Sequence, residues 1–314
     1  MALTLDGVTG LGDAAPLPGL SSESLDDVVA AMRALKDARP RSLEVLMERT
    51  TSSALPPSLA WAIQSACRDA MAATTTTTTT MTEPAAWLQT SQLVGDDERH
   101  DDEVQGTVKL KVGRAPLDVE CARVVRLARA GCRLRLDGNR RLDASATRAL
   151  VEAAGAALEF LEEPTPRAAL PTDGVPLALD ETLDETLAQL GNDASPAFIS
   201  DALRSLPSAV AWVLKPTVLG PVRMAHLLAS SSTAGAQIVL SSAYDSAVGR
   251  RSLVHFGASQ GLVSSVHGLG TADVFASDLE SVTGPVVVRD GDVVRVGACV
   301  SSSSFPDLVW ETIW

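Results

Sequence analysis

The chain has 314 residues, of which 46% are hydrophobic, 21% are charged and only 4% are aromatic, and its formal net charge is −13. This composition is typical of a folded protein with one or two domains and a core built mainly from aliphatic side chains. The negative charge argues against binding to nucleic acid or to an anionic membrane surface, and the sequence contains no apolar run long enough to span a bilayer.

The cysteines form no metal-binding or disulfide pattern. Cys67, Cys121, Cys132 and Cys299 contain no CxxC or CxH motif, so we interpret them as free thiols in a reducing compartment. The first residues have neither the layout of a secretion signal nor an Arg-rich transit character. These features predict a cytoplasmic protein, or a plastid protein if the source is a photosynthetic eukaryote.

Two helices are expected in the first hundred residues. Capping residues from Ser22 to Asp26 precede an apolar stripe at helical spacing, and a second helix is expected from Pro57 to about Ala73. The threonine run Thr74 to Thr80 predicts a mobile loop or insertion. The acidic stretch Asp96 to Glu103 predicts a solvated connector.

From Gly106 onward, short apolar strands alternate with helical stretches. The expected strands are Thr107–Val112, Arg133–Leu136, Leu158–Leu161, Pro176–Leu179, Ala211–Leu214 and Gln237–Leu240. The expected helices between them include Leu117–Ala130, Ala144–Ala156 and Pro221–Ala229. This alternation predicts a parallel sheet with both faces covered and favours a (β/α) barrel, with an open doubly wound sheet as the alternative. The segment Val286–Val296 predicts a terminal hairpin.

Charged residues stand at the carboxyl ends of the predicted barrel strands. They are Lys109, Lys111, Asp137, Glu162, Glu163, Asp180 and Lys215. Because these ends of a parallel barrel open on one face, where active sites are assembled, the charges should converge there. Three carboxylates from successive strands suit a hard cation such as Mg²⁺ better than zinc, which prefers nitrogen or sulfur.

The lysines at the two ends of this series would flank a bound substrate. A carbon acid next to a carboxylate becomes reactive only if its enediolate is stabilised, which a divalent cation and a lysine can do. Lys109 and Lys111 share one face of a strand, so the charge of Lys109 is expected to lower the pKa of Lys111 toward neutrality. Each residue alone also fits an ordinary role as a turn, helix cap or exposed residue, and only the ordered set favours catalysis.

The ordered motifs KLK, LDGNR, LEEP, LDET and LKP resemble the enolase superfamily, and the lysines on both sides resemble its muconate-lactonizing subgroup. Within it, the o-succinylbenzoate synthase family is the most similar in pattern. GLGDAAPLPGLSSESLDD resembles its capping-domain loop, PSLAWAIQSA the helix that follows, and LSSAYDSAVG its Ser-rich seventh strand. The resemblance implies a (β/α)7β TIM barrel at 104–284, a partial α+β capping domain at 1–103, and a segment at 285–314 that returns to the capping domain.

The resemblance also implies roles for individual residues. Lys111 matches the base that abstracts the proton, Lys109 its partner, and Lys215 the cation that stabilises the enediolate. The ligands of Mg²⁺, for which Mn²⁺ can substitute, match Asp137, Glu162 and Asp180, with Glu163 supporting them from behind. The residues that meet the substrate match Asn139, Ser241, Ser242 and Gly268.

The implied reaction is the loss of water from 2-succinyl-6-hydroxy-2,4-cyclohexadiene-1-carboxylate, which gives 2-succinylbenzoate in menaquinone or phylloquinone biosynthesis. The same scaffold also leaves open an N-acylamino-acid racemase, a dipeptide epimerase or a muconate cycloisomerase. A third alternative is a non-catalytic barrel domain of a larger, multifunctional chain, because the sequence opens at what resembles the third strand of the family's capping sheet.

Several local features depart from the family pattern or lack a chemical role. Asp245 stands where the family has Glu, and the short interval from Glu162 to Asp180 predicts a trimmed helix before an extended one. The motifs Gly10-Leu11-Gly12 and Gly268-Leu269-Gly270 lack the strand–GxGxxG–helix context, so no nicotinamide cofactor is expected. The histidines share no ligand spacing and are expected to be structural; they are His100, His226, His255 and His267.

Overall fold

The computed structural model describes residues 1–5, 8–38, 40, 42–51, 54–75, 86–95, 98–171, 173–190, 195–271, 287–290 and 293–296. Its strands are β1 (Ala2–Leu5), β2 (Val8–Leu11), β3 (Ala86–Thr90), β4 (Gln92–Val94), β5 (Thr107–Lys111), β6 (Arg133–Asp137), β7 (Leu158–Glu162), β8 (Leu177–Leu179), β9 (Ala211–Leu214), β10 (Gln237–Leu240), β11 (Val266–His267), β12 (Val287–Asp290) and β13 (Val293–Val296). Its α-helices are α1 (Leu25–Asp37), α2 (Leu43–Arg49), α3 (Pro57–Thr75), α4 (Leu117–Arg129), α5 (Ala144–Ala154), α6 (Glu181–Leu190), α7 (Pro196–Arg204), α8 (Pro216–Ala234) and α9 (Ala247–Ser259).

Seven parallel strands form the main sheet in the order β10-β9-β8-β7-β6-β5-β4, so neighbours in sequence are neighbours in space. Strand β11 closes the ring, because it pairs in parallel with β3 and the residue after it, Gly268, bridges to Ser241 after β10. Backbone bonds of 2.7 Å from Gly268 to Leu240 and 2.8 Å from Ser91 to His267 complete this seam. The curled sheet confirms the predicted barrel, since a doubly wound sheet would reverse its strand order.

The alternation of side chains along β5 explains why its lysines enter the barrel. Val108 and Leu110 are buried in a cluster that includes helix residues Val124 and Leu127 of α4, so the residues between them face the barrel axis. Below the lysines, a cluster of small and aromatic side chains fills the barrel interior; it consists of Phe160, Ala178, Ala211, Val213 and Val239. The buried Arg135 also packs here, with its guanidinium carbon 4.7 Å from the centre of the Phe160 ring, and the carboxyl end of the barrel is lined by charged residues.

The connections on either side of β8 differ in length, as the sequence spacing predicted. Among the described residues between β7 and β8 the only helix is a short 3-10 turn, Arg167–Ala169, whereas α6 and α7 both lie between β8 and β9. Helix α8 is longer than expected and is kinked at Gly220, which has a φ of 72° and precedes Pro221. The trimmed and extended connections are confirmed, and β8 still pairs in parallel with β7 and with β9.

An antiparallel hairpin that the sequence did not reveal, β1–β2, packs on α3. A Cβ atom at Gly10 would lie 1.9 Å from the carbonyl oxygen of Ala66, and one at Gly12 would lie 2.0 Å from that of Ala62. The two glycines therefore allow β2 to approach the helix backbone, which gives the GLG motif a packing role. Helix α1 begins at the predicted capping segment, with a capping box formed by Ser24 and Asp27.

The C-terminal hairpin is confirmed, since β12 and β13 pair antiparallel and β13 also pairs with β3. Strand β4 already belongs to the barrel sheet, so the division at 103/104 stays a prediction. The threonine run begins in the last turn of α3, and its residues 76–80 lie outside the described residues. No helix in the described part of the chain is long and apolar enough to cross a bilayer.

The prediction of a fully solvated acidic connector is wrong at Asp101. Its carboxylate is buried and accepts hydrogen bonds from Arg123 and Arg126 of α4, at 2.7 to 2.8 Å. Two arginines compensate the cost of burying this charge. Asp102 and Glu103 beside it are exposed, as predicted.

Candidate active site

The predicted charged residues meet at the carboxyl end of the barrel. Strand register aligns Lys111 with Asp137, and Asp137 with Glu162, across β5, β6 and β7. Asp180 and Lys215 directly follow β8 and β9. The five side chains therefore lie on one face of the barrel, as the strand-end pattern predicted.

Lys109 forms the tightest contacts in this group. Its Nζ atom lies 2.9 and 2.8 Å from the two carboxylate oxygens of Glu162 and 3.0 Å from Oδ2 of Asp137. Two carboxylates thus offset its charge. The expectation that Lys109 acts on Lys111 as an uncompensated positive charge is not supported by this geometry.

Lys111 and Lys215 lie on opposite sides of the barrel mouth. In the curled sheet, the three strands β6, β7 and β8 separate β5 from β9. The ammonium group of Lys215 donates a hydrogen bond to Asp180. A planar substrate between the two lysines would present one face to each of them.

Burial and neighbouring charges shift the pKa values of these groups in directions that keep both contact-forming lysines charged. Burial lowers the pKa of Lys109, but Glu162 and Asp137 outweigh it and raise the pKa overall. In the same way, Asp180 overcomes burial and raises the pKa of Lys215. Burial raises the pKa of Glu162 to about 8, the charge of Asp137 adds to this shift, and the ammonium of Lys109 opposes it.

The donor set fits a hard divalent cation. Asp137, Glu162 and Asp180 offer only carboxylate oxygens, and oxygens of the first two already meet at the ammonium of Lys109. Within the described residues, no three His, Cys, Asp or Glu side chains form a ready-made metal cage. Because Lys109 and Lys215 hold these oxygens here, their role as metal ligands stays a prediction.

A cavity of about 200 Å³ opens above the charged residues. Nine of the predicted residues line it: Lys109, Lys111, Asp137, Asn139, Asp180, Lys215, Ser241, Ser242 and Gly268. Glu162 and Glu163 are buried behind the wall, with 1% and 0% exposure. Leu17 and Leu20, from the predicted capping loop, also line the cavity.

The loop after β10 is shaped by Asp245. Its buried carboxylate accepts hydrogen bonds from the hydroxyls of Thr217 and Ser242, at 2.5 and 3.0 Å, and from the backbone of Ala243 at 2.8 Å. Burial raises its pKa, and the hydrogen bond from Thr217 opposes that shift. The shorter acid at this position therefore supports the loop that carries Ser241 and Ser242.

Sequence reasoning missed several residues of the site. Glu181 and Tyr244 line the cavity, and both oxygens of the buried Asp184 carboxylate make no hydrogen bond among the described residues. Burial and the charge of Asp180 raise the pKa of Asp184 to about 7. The spacing of Asp180, Glu181 and Asp184 at the start of a helix was a usable signal, since residues four apart share a helix face.

His267 has the structural role that the sequence suggested. It is fully buried in β11, where Nδ1 accepts a hydrogen bond from the backbone of Leu240 at 3.0 Å. Its Nε2 lies 3.0 Å from the carbonyl oxygen of Leu262, so the neutral ring with a proton on Nε2 satisfies both contacts. Burial lowers its pKa to about 4.

The sequence is similar to curated o-succinylbenzoate synthases, and no family model matches it. It is 26% identical to the enzyme of Vibrio cholerae serotype O1 (strain M66-2), with 89% of this chain and 82% of the relative covered. It is 29% identical to that of Pasteurella multocida (strain Pm70), with 86% and 80% covered.

The fold is similar to solved structures of related enzymes. The L-Ala-D/L-Glu epimerase from Bacillus subtilis matches with a TM-score of 0.73 and 19% identity, over 95% of this chain and 88% of that one. The dipeptide epimerase from Methylococcus capsulatus, complexed with Mg and a dipeptide, matches with a TM-score of 0.62 and 19% identity, over 95% and 89%.

The chain shares its fold with these solved structures, which are enolase-superfamily enzymes. Its sequence resembles the o-succinylbenzoate synthases.

Proposed function

We propose that the chain is a magnesium-dependent o-succinylbenzoate synthase, a carbon–oxygen lyase. The observation that carries this proposal is the ordered series of a lysine, three acidic residues and a second lysine at the mouth of one barrel. Similarity to curated o-succinylbenzoate synthases over more than four-fifths of the chain supports the choice within the superfamily.

The reaction begins with removal of a proton. Lys111 takes the proton from the carbon next to the substrate carboxylate, and the electron pair of the broken C–H bond forms an enediolate. That electron pair then expels the hydroxyl group from the adjacent carbon. The departing hydroxyl takes the proton that Lys111 removed and leaves as water, which returns Lys111 to its neutral form. The ring becomes aromatic, so the catalyst mainly has to lower the barrier to proton transfer.

Lys215 supports the charge that develops during this step. It is held as a cation by Asp180 on the face opposite Lys111, where it can stabilise the enediolate without taking a proton. A Mg²⁺ ion held by Asp137, Glu162 and Asp180 would neutralise the two negative oxygens of the same group. Ser241, Ser242 and Gly268 line the cavity where we expect the succinyl tail to bind.

The test is incubation with 2-succinyl-6-hydroxy-2,4-cyclohexadiene-1-carboxylate and Mg²⁺, followed by loss of the diene absorbance. We expect turnover that EDTA abolishes and added Mg²⁺ or Mn²⁺ restores. The variant Lys111→Ala should lower kcat by about 10²- to 10⁴-fold while its far-UV circular dichroism stays unchanged. Unchanged turnover in this variant would remove Lys111 from the proposed role.

A racemase or epimerase is the second candidate, because two lysines on opposite faces also suit removal of a proton from one face and its return to the other. Dipeptides and N-acylamino acids in deuterated water distinguish this function. Exchange of the α-proton with inversion, in the absence of dehydration of the cyclohexadiene, would overturn the synthase proposal. If neither substrate class reacts under conditions where Mg²⁺ binds, the non-catalytic alternative is favoured.

A further inference from the structure

The loops that follow the three acidic strand ends are held together outside the cavity. Asn139 and Arg140, after β6, have φ angles of 41° and 62°, and Glu163, after β7, has a φ of 37°. Non-glycine residues rarely adopt this left-handed region, and they keep it only where the surrounding structure holds them there. Backbone bonds from Gly138 to Glu162 and from Arg140 to Glu163, at 2.9 and 2.7 Å, fasten the first loop to the second.

The carboxylate of Glu163 fastens the second loop to the third. It is fully buried, and its Oε1 accepts hydrogen bonds from the backbone N–H groups of Asp180 and Thr182, at 3.0 and 2.9 Å. The Thr182 hydroxyl donates to Oε2 at 2.8 Å. One side chain thus fixes the backbone position of Asp180 and the first turn of α6.

Arg140 connects all three loops through one guanidinium group. Its Nε donates to Glu163 at 3.1 Å, and its Nη2 donates to Thr182 and Glu185 at 3.1 Å each. Its Nη1 donates to Glu185 as well. Glu163 lies one residue after Glu162, and Thr182 and Glu185 lie two and five residues after Asp180. Arg140 itself lies three residues after Asp137.

We propose that Arg140 is a positioning residue that sets the spacing of Asp137, Glu162 and Asp180 for one divalent cation. The inference rests on the proposed function for its choice of cation, and it assigns no contact between Arg140 and substrate. A guanidinium group presents several donors in a rigid fork, whereas a lysine ammonium is a single point charge and cannot hold Glu163, Thr182 and Glu185 together.

Direct binding of Mn²⁺ to the full chain, followed by the electron paramagnetic resonance signal of free Mn²⁺, tests this proposal. Removal of a residue that orients metal ligands typically weakens metal affinity by about 10- to 100-fold, and we expect a loss in that range for Arg140→Ala. Arg140→Lys keeps the charge but not the fork and should recover only part of the affinity. Millimolar guanidinium should partly restore binding in Arg140→Ala.

The matched control is Arg123→Ala, which removes a buried arginine with two bonds to Asp101 on the outside of the barrel, at 2.8 and 2.7 Å. This variant should lose stability and keep the Mn²⁺ affinity of the wild type. If Arg140→Ala fails to fold, Arg140→Lys and Glu185→Gln give the same test, with weaker binding expected in both.

Wild-type Mn²⁺ affinity in the folded Arg140 variants would overturn the inference, whatever their thermal stability. The result is independent of the substrate. If Mn²⁺ binding depends on Arg140 but the cyclohexadiene does not react, the positioning role stands and the proposed reaction fails. If the reaction occurs and Mn²⁺ affinity does not depend on Arg140, the proposed reaction stands and the positioning role fails.

Discussion

The ammonium group of Lys109 binds both carboxylate oxygens of Glu162, at 2.9 and 2.8 Å, inside the mouth of the barrel. It also reaches Asp137 at 3.0 Å, so one lysine shares oxygens with the proposed metal site. A Mg²⁺ ion binds oxygen at about 2.0–2.1 Å, and it would have to displace this ammonium from at least some of the oxygens. Lys109 and the cation are therefore expected to compensate the same buried negative charge.

Substitution Lys109→Met should destabilise the metal-free protein. Removing one partner of a buried ion pair costs about 3–5 kcal/mol, and here the carboxylates of Glu162 and Asp137 lose the cation that contacts them directly. Saturating Mg²⁺ should restore most of this loss. Urea unfolding with and without Mg²⁺ measures the effect, and Lys36→Met on α1 is the control. Equal stabilisation of wild type and Lys109→Met by Mg²⁺ would contradict the shared role.

Substitution Lys215→Met should lower kcat by about 10²- to 10³-fold with a smaller effect on KM, because stabilisation of a developing charge acts mainly in the transition state. The variant Lys215→Arg, which keeps the charge, should retain more activity. Steady-state kinetics on the cyclohexadiene substrate provide the measurement. Equal loss in both variants would indicate that Lys215 transfers a proton, which is the pattern of an epimerase.

His267 should make the fold less stable in acid. Its pKa is about 4 in the folded protein and about 6.5 when unfolded, so the unfolded chain binds more protons between these values. Its contribution is complete above pH 6.5 and is lost as the pH falls toward 4, at up to about 1.4 kcal/mol per pH unit. The pH dependence of the free energy of unfolding, compared with His267→Asn, isolates this contribution. Identical slopes would show that folding does not shift the pKa of His267.

The buried pair of Asp69 and Arg251 should contribute far more to stability than an exposed pair. Asp69, on α3, accepts hydrogen bonds from Arg251 of α9 at 2.6 Å and from the backbone of Leu11 at 2.9 Å. Asp69→Asn should cost about 3–5 kcal/mol. Asp201→Asn, in a pair with 67% and 65% exposed side chains, should cost under about 1 kcal/mol. Similar losses in urea unfolding would contradict this ranking.

The barrel and the set of charged residues could be predicted because both depend on local patterns. The six strands assigned to the barrel from Thr107 to Leu240 all occur within one residue of their expected ends. A charged residue at the carboxyl end of a buried parallel strand lies at the mouth of the barrel. For this reason Asp137, Asp180 and Lys215 line the cavity. The roles of these residues, the three-part division of the chain and its cellular location stay predictions.

The features that the sequence did not reveal depend on contacts between segments that are far apart in the chain. The position of Lys109 between Asp137 and Glu162 follows from strand register and shear, neither of which its own strand encodes. The network around Arg140 requires left-handed backbone at non-glycine residues, a conformation without a compositional signal. The hairpin β1–β2 was also missed, because its strands are four residues long and contain the glycines that fit against α3.

Anomalous diffraction from crystals soaked in Mn²⁺ tests the proposed metal site most directly. We expect one peak between Asp137, Glu162 and Asp180, with carboxylate oxygens at roughly 2.2 Å, and with Lys111 and Lys215 on opposite sides of it. The contradicting result is a crystal that binds Mn²⁺ elsewhere but shows no peak at this position. In that crystal Lys109 would still contact Glu162 and Asp137.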